Sequence, residues 1–151
     1  MDAMKLLKDD HEKVKKMLQE LESTTERGVK TRQELFSKVK HELTIHEAIE
    51  EEIFYPALRE HPKTKEIALE AYEEHHVVDM VMAEIESVAF DNEQWAAKFM
   101  VMKENLEHHI EEEEGEMFKQ AKQVFEKEEL EHLGDQMKAR KEQLIQQQSA
   151  A

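Results

Sequence analysis

At 151 residues the chain is long enough for one compact core and too short for two. Its 36 Asp and Glu against 21 Lys and Arg give a formal charge of −15, which argues against nucleic acid and anionic membrane surfaces, since both reward a basic footprint. The absence of Cys excludes disulfides, thiolate metal sites, iron–sulfur clusters and a Cys nucleophile, and it suits a reducing, cytoplasmic setting. Met1 to Asp10 carries no apolar run of the signal-peptide kind, and no stretch approaches the ~20 apolar residues of a membrane span. With 3 Gly and 2 Pro, tight turns are too few for a β or doubly wound fold.

Breaks at Gly28, His61-Pro62, Asp91-Asn92 and Gly134 predict helices over about 3–25, 31–59, 63–89 and 93–126, then a shorter one over about 135–147. In the first helix the apolar stripe is Met4, Leu7, Val14, Leu18 and Leu21, and His11 falls within it. The second opens on a Thr31/Glu34 capping box. Its stripe is Leu35, Val39, Leu43, Ile49, Ile53 and Ala57, with His46 and Glu50 inside. Pro62 suits the first turn of the third helix, whose stripe (Ile67, Ala71, Val78, Met82, Ile85, Ala89) includes His75. The fourth opens on a second box, Asp91/Gln94, and its stripe (Trp95, Phe99, Met102, Leu106, Met117, Val124) includes His109 and Glu113. His41, His76 and His108 project to the far side. Short connections force consecutive long helices to run antiparallel. The expected fold is therefore all-α: a single unit over 1–151, an up-down-up-down four-helix bundle with a short C-terminal fifth helix.

At ~1.5 Å per residue, the depths of His11, His46, Glu50, His75, His109 and Glu113 along their helices agree within about two turns. Six polar groups can thus meet in one layer of the core. Buried carboxylates and imidazoles without partners cost several kcal/mol, and no inward Lys or Arg neutralises them. A metal centre meets that need, because imidazole suits Fe, Zn or Cu and carboxylates can bridge two hard cations. The i, i+4 spacing within His46/Glu50 and His109/Glu113 puts both members of each pair on one helix face. Six donors are too many for one tetrahedral zinc and suit two metals sharing glutamates.

The motifs are His11 after Asp9-Asp10, the run from His46 to Pro56, Glu74-His75, and the run from His109 to Phe118. Two of them repeat the pattern His-x-x-x-Glu-Glu-x-x-apolar-aromatic. With these pieces, and a tail of Glu129 to Gly134 followed by Met137 and Lys141, the chain resembles the hemerythrin-like family, also called the HHE cation-binding domain. The resemblance implies two non-haem iron ions in an oxo- or hydroxo-bridged centre. His11, His46, His75 and His109 would be terminal ligands, Glu50 and Glu113 would bridge, and Glu47 would be a state-dependent ligand. Oxygen-carrying relatives use five histidines, with His-x-x-x-His on the third helix and an Asp on the fourth. Here His75 alone is clearly inward on the third helix and Glu113 replaces the Asp pattern, which argues against reversible dioxygen carriage.

The leading functional expectation is a di-iron module that binds or senses small oxygen-derived or nitrogen-oxide ligands, or iron and oxidant status. A di-iron oxidant-scavenging enzyme, decomposing peroxide for example, is the alternative, and a storage or structural bundle is the third. The implied partner is a diatomic or peroxide-type small molecule, with neither nucleic acid nor membrane. Asp79 and Glu42, one turn from His75 and His46, are candidate acceptors for their second ring N–H. Tyr55 and Tyr72 are candidates for hydrogen bonding to a metal-bound oxygen species, with packing at the core edge as their more ordinary role.

Overall fold

The computed structural model describes residues 1–150; the last residue of the expected 1–151 unit lies outside the described residues. The first helix, α1 (Ala3–Glu22), is capped by the Asp2 side chain, which accepts the Lys5 N–H at 2.9 Å. α2 (Val29–Ile49) continues through a π-helical turn at Glu50–Phe54 into α3 (Tyr55–Arg59), forming one rod. After His61, α4 (Pro62–Glu86) starts with Pro62 at its first position, as expected. The fourth rod is α5 (Trp95–Glu112), a second π turn at Glu113–Met117, and α6 (Phe118–Val124). α7 (Lys127–Ala150) packs along α1 and α2. Sequential rods are neighbours and α5 closes back on α1, so the core is an antiparallel four-helix bundle. Among the described residues no helix is long and apolar enough to cross a membrane.

Local rules fail at three places, each for a physical reason. Neither expected capping box forms. α2 begins at Val29 after Gly28, and its first turn is fixed by Arg32, which is buried. Arg32 donates to Thr24 O (2.9 Å), Thr24 Oγ1 (3.0 Å) and Phe90 O (2.6 Å), and its guanidinium lies 4.3 Å from the Trp95 ring. It thereby joins two interhelical loops at one end of the bundle. α5 begins at Trp95 with Gln94 as an N-cap that makes no side-chain cap bond, and in the loop before it Asn92 Oδ1 accepts from Gln94 N at 2.7 Å. The last helix starts at Lys127 and runs through Gly134 instead of beginning after it. A Cβ at Gly134 would overlap the Met1 carbonyl oxygen and lie 2.7 Å from Asp2 C and 2.8 Å from Ala3 N, so glycine here permits close helix–chain approach.

Each π turn starts at an inward glutamate, and each shifts the buried register after it by one residue. Ile53 and Ala57, expected in the core, are half-buried, while Phe54, Tyr55 and Leu58 are fully enclosed. On the fourth rod Val124 is half-buried and Phe118 and Ala121 take the core positions. Ala89 lies past the end of α4 and is exposed. Buried apolar residues form two clusters. One holds Leu7, Ile49, Phe54, Leu58, Ala71 and Phe118; the other holds Val14, Leu18, Leu43, Val78, Phe99 and Leu106. The polar layer lies between them.

Candidate metal centre

All six expected residues are inside, from 0% exposure at Glu50 and 1% at His11 and Glu113 to 5% at His46. They form two overlapping donor sets: His11, His46, Glu50 and Glu113 in one, and Glu50, His75 and His109 in the other, with the donor atoms of each set within 4.8 Å of one another. Glu50 Oε1 lies 3.1 Å from both His46 Nε2 and His75 Nε2. Glu113 mirrors it, with Oε1 3.2 Å from His11 Nε2 and Oε2 3.3 Å from His109 Nε2. Each carboxylate therefore spans one histidine of its own helix and one of another.

The outward ring nitrogens explain why Nε2 faces inward. Each of the four inward imidazoles donates Nδ1–H to a carboxylate: His11 to Glu114 (2.6 Å), His46 to Asp10 (3.0 Å), His75 to Glu51 (2.8 Å) and His109 to Glu74 (3.1 Å). This pattern fixes the tautomer and raises the basicity of Nε2, as metal-bound histidines require. The expected acceptors were others. Glu42 instead pairs with Lys13 at 3.2 Å, and Asp79 hydrogen-bonds Glu47. The signal for the true acceptors was in the motifs: Asp10 and Glu74 directly precede the lone histidines, and Glu51 and Glu114 directly follow the inward glutamates. The chain is thus an internal repeat, acid-His followed by His-x-x-x-Glu-Glu and a π turn, in which His11 and His75 take their acceptors from the opposite half and His46 and His109 from their own.

Several inward atoms are left without hydrogen bonds among the described residues: His11 Nε2, His46 Nε2, both Glu50 oxygens and Glu113 Oε1. Clustered buried lone pairs of this kind are costly unless a cation lies among them, so the donor set fits a pair of metal ions. The two glutamates also draw positive charge onto the imidazoles around them. Burial would lower the pKa of His75, but hydrogen bonding to Glu50 and the Glu50 charge outweigh it and raise it to about 9. Burial of His109 is likewise outweighed by Glu113 and Glu74, which raise it to about 10. His46 is pushed up against its own burial by the Glu50 charge and by Asp10. Glu113 is held well below the usual carboxylate range despite complete burial, by its interactions with Glu50 and with the His109 and His11 imidazoles.

Tyr55, a candidate from the sequence that the apolar stripe left out, lies inside. The π turn carries it inward to 0% exposure, where its hydroxyl donates to Glu113 Oε2 at 2.6 Å and lies 3.2 Å from His75 Nε2 and 3.4 Å from His109 Nε2. Its counterpart in the second half is Phe118, so the repeat is polar on one side only. Tyr72 stays at the edge, donating to the Glu51 carbonyl at 3.2 Å. Glu47 stands outside both central sets, in a group with Glu51 and His75, and burial raises its pKa to about 8. His41, His76 and His108 are exposed, as expected. A cavity of about 10 Å³ adjoins the four imidazoles, walled by Val14, Leu43, Leu106 and Ile110 among others.

Residues 2–121 match the family model of the hemerythrin HHE cation binding domain. The chain belongs to the hemerythrin HHE cation-binding family. Among solved structures, this HHE chain is similar to a hemerythrin HHE cation binding domain-containing protein, the Rv2633c homolog from Mycobacterium kansasii. The two share 28% identity and a TM-score of 0.86, over 95% of this chain and 87% of that one. No curated protein matches the chain. The family match ends before α7, which the structure nonetheless packs onto the HHE bundle.

Proposed function

We propose that this HHE protein holds two non-haem irons and binds or senses a small oxygen-derived or nitrogen-oxide ligand. The observation that carries the reading is the pair of donor sets sharing Glu50, with Glu113 reaching a histidine of each. His11 and His46 would hold one ion, His75 and His109 the other, and Glu50 and Glu113 would bridge. Glu47 would join only in some states of the centre. When bound, the irons would supply one-electron chemistry and an open coordination position. The chain's own contribution is to fix four imidazoles through their outer acceptors, exclude bulk water with two apolar clusters, and limit access. The adjoining cavity, about 10 Å³, has room for no more than one water-sized molecule, so access to the cluster is narrow. Zero Cys suits a cytoplasmic setting for such a centre.

The test is iron analysis followed by exposure of the reduced protein to nitric oxide and to oxygen, with the absorption spectrum recorded. Two irons per chain and a new charge-transfer band on ligand addition support the proposal, and iron-free protein after reconstitution refutes it. Tyr55 favours peroxide decomposition as a second reading, because its hydroxyl, kept protonated by burial and by the Glu113 and Glu50 charges, is a fixed hydrogen-bond donor at Glu113 and beside two imidazoles. Peroxide consumption that is equal in wild type, Tyr55→Phe and His109→Ala removes that reading.

A further inference from the structure

The two halves of the repeat supply equivalent outer carboxylates, Asp10 for His46 and Glu74 for His109, yet the two are not in equivalent surroundings. The Glu74 side chain is 31% exposed, whereas that of Asp10 is 5% exposed and bonded on its other oxygen by the ammonium of Lys141. Lys141 comes from α7, beyond the family match, and its own side chain is 23% exposed. Among the described residues, no Lys or Arg is paired with Glu74, Glu51 or Glu114, the other three outer carboxylates. α7 does not depend on this ion pair for its place. Met137 is fully buried, Arg140 grips Glu52 at 2.8 and 3.2 Å, and Gly134 abuts the backbone of the first residues.

We infer that Lys141 is a positioning residue that acts through Asp10 to weaken the donor strength of His46, so that α7 makes the two metal positions electronically unequal. A carboxylate sharing its charge with an ammonium accepts less strongly from Nδ1–H, and the imidazole is then a poorer donor at Nε2. The His11/His46 position is therefore the more easily reduced of the two, while the His75/His109 position, backed by partly hydrated carboxylates, favours the ferric state. The inference rests on the di-iron reading for its consequence at the metals, but the Lys141–Asp10–His46 chain can be tested without them.

Two readouts decide it, both on the full chain. In chelator-treated protein, Lys141→Met should move the His46 Nδ1 proton resonance downfield, because the freed carboxylate accepts more strongly. In iron-loaded protein, Lys141→Met should lower the reduction potential and Asp10→Asn should raise it. Lys141→Arg should restore the wild-type value, and Arg140→Met, which breaks only the exposed pair with Glu52, should leave it unchanged. Lys141→Gln, which keeps a neutral N–H donor, replaces the Met variant if that one does not fold. A purely structural role would move Lys141→Met and Asp10→Asn in the same direction, and that result overturns the inference. An unchanged proton resonance also overturns it. Wild-type protein without iron but with the shifted resonance would refute the di-iron reading alone.

Discussion

Tyr55→Phe isolates the one hydroxyl that the π turn carries into the centre. Ring packing is retained, since Phe keeps the edge contacts at 5.3 Å from the Tyr72 ring and the tilted contact at 5.3 Å from His75. What is lost is the 2.6 Å hydrogen bond to Glu113 Oε2, whose partner oxygen already accepts no hydrogen bond. A hydrogen bond to a charged group is worth about 1.5–3 kcal/mol net, which for a chain of this size corresponds to roughly 3–12 °C in Tm. The assay is thermal unfolding by circular dichroism of chelator-treated wild type and variant. Tyr72→Phe is the internal comparison: its hydroxyl donates to a carbonyl at 3.2 Å at the core edge, so about 0.5–1.5 kcal/mol is expected. Equal midpoints for wild type and Tyr55→Phe, or a larger loss for Tyr72→Phe, would refute the placement of the hydroxyl on Glu113.

Three further predictions concern stability. Gly134→Ala forces a methyl group onto backbone that cannot yield, so it should cost about 1–3 kcal/mol by urea unfolding, whereas Gly115→Ala meets open space and should be neutral or gain up to about 1 kcal/mol. Arg32→Met leaves the Thr24 and Phe90 carbonyls without their donor and should lose about 2–4 kcal/mol; a loss under about 1 kcal/mol would deny it the role of joining the two loops. The pH dependence has a definite sign. His75 and His109 titrate in the fold at about 9 and about 10, above the 6.5 of the unfolded chain, so their stabilisation is complete below about 6.5 and is lost as pH rises through 9–10. Glu47, raised to about 8 from 4.5, acts in the same direction between those values. The Tm of chelator-treated protein should therefore fall from pH 6 to pH 10, and a flat or rising curve would contradict the cluster's electrostatics.

The inward His/Glu cluster was legible in the sequence because its members obey simple periodicities. His46/Glu50 and His109/Glu113 are one helical turn apart within apolar stripes, and His11 and His75 fall in their own stripes at matching depth. What was not legible follows from departures from that periodicity. A projection at 100° per residue carries Ile53 and Ala57 inward, but the π turn at Glu50–Phe54 inserts a residue and brings in Tyr55 and Leu58 instead. Gly134 reads as a helix breaker when the chain is taken alone, and only the packed Met1–Ala3 backbone shows why the helix continues through it. Lys141 is 131 residues from Asp10, a separation that no local pattern can bridge. The acceptors Glu51 and Glu114 were hidden in acidic runs that look like solvated faces, because a charge run does not show which member bonds a neighbouring helix.

The central claim is that the inward glutamates bridge two cations, and iron content per chain tests it most directly. Wild type, His41→Ala and His108→Ala, both on the exposed surface, should each retain about two irons after reconstitution, while Glu50→Ala and Glu113→Ala should lose them. Full iron content in either glutamate variant, or none in wild type, would contradict it.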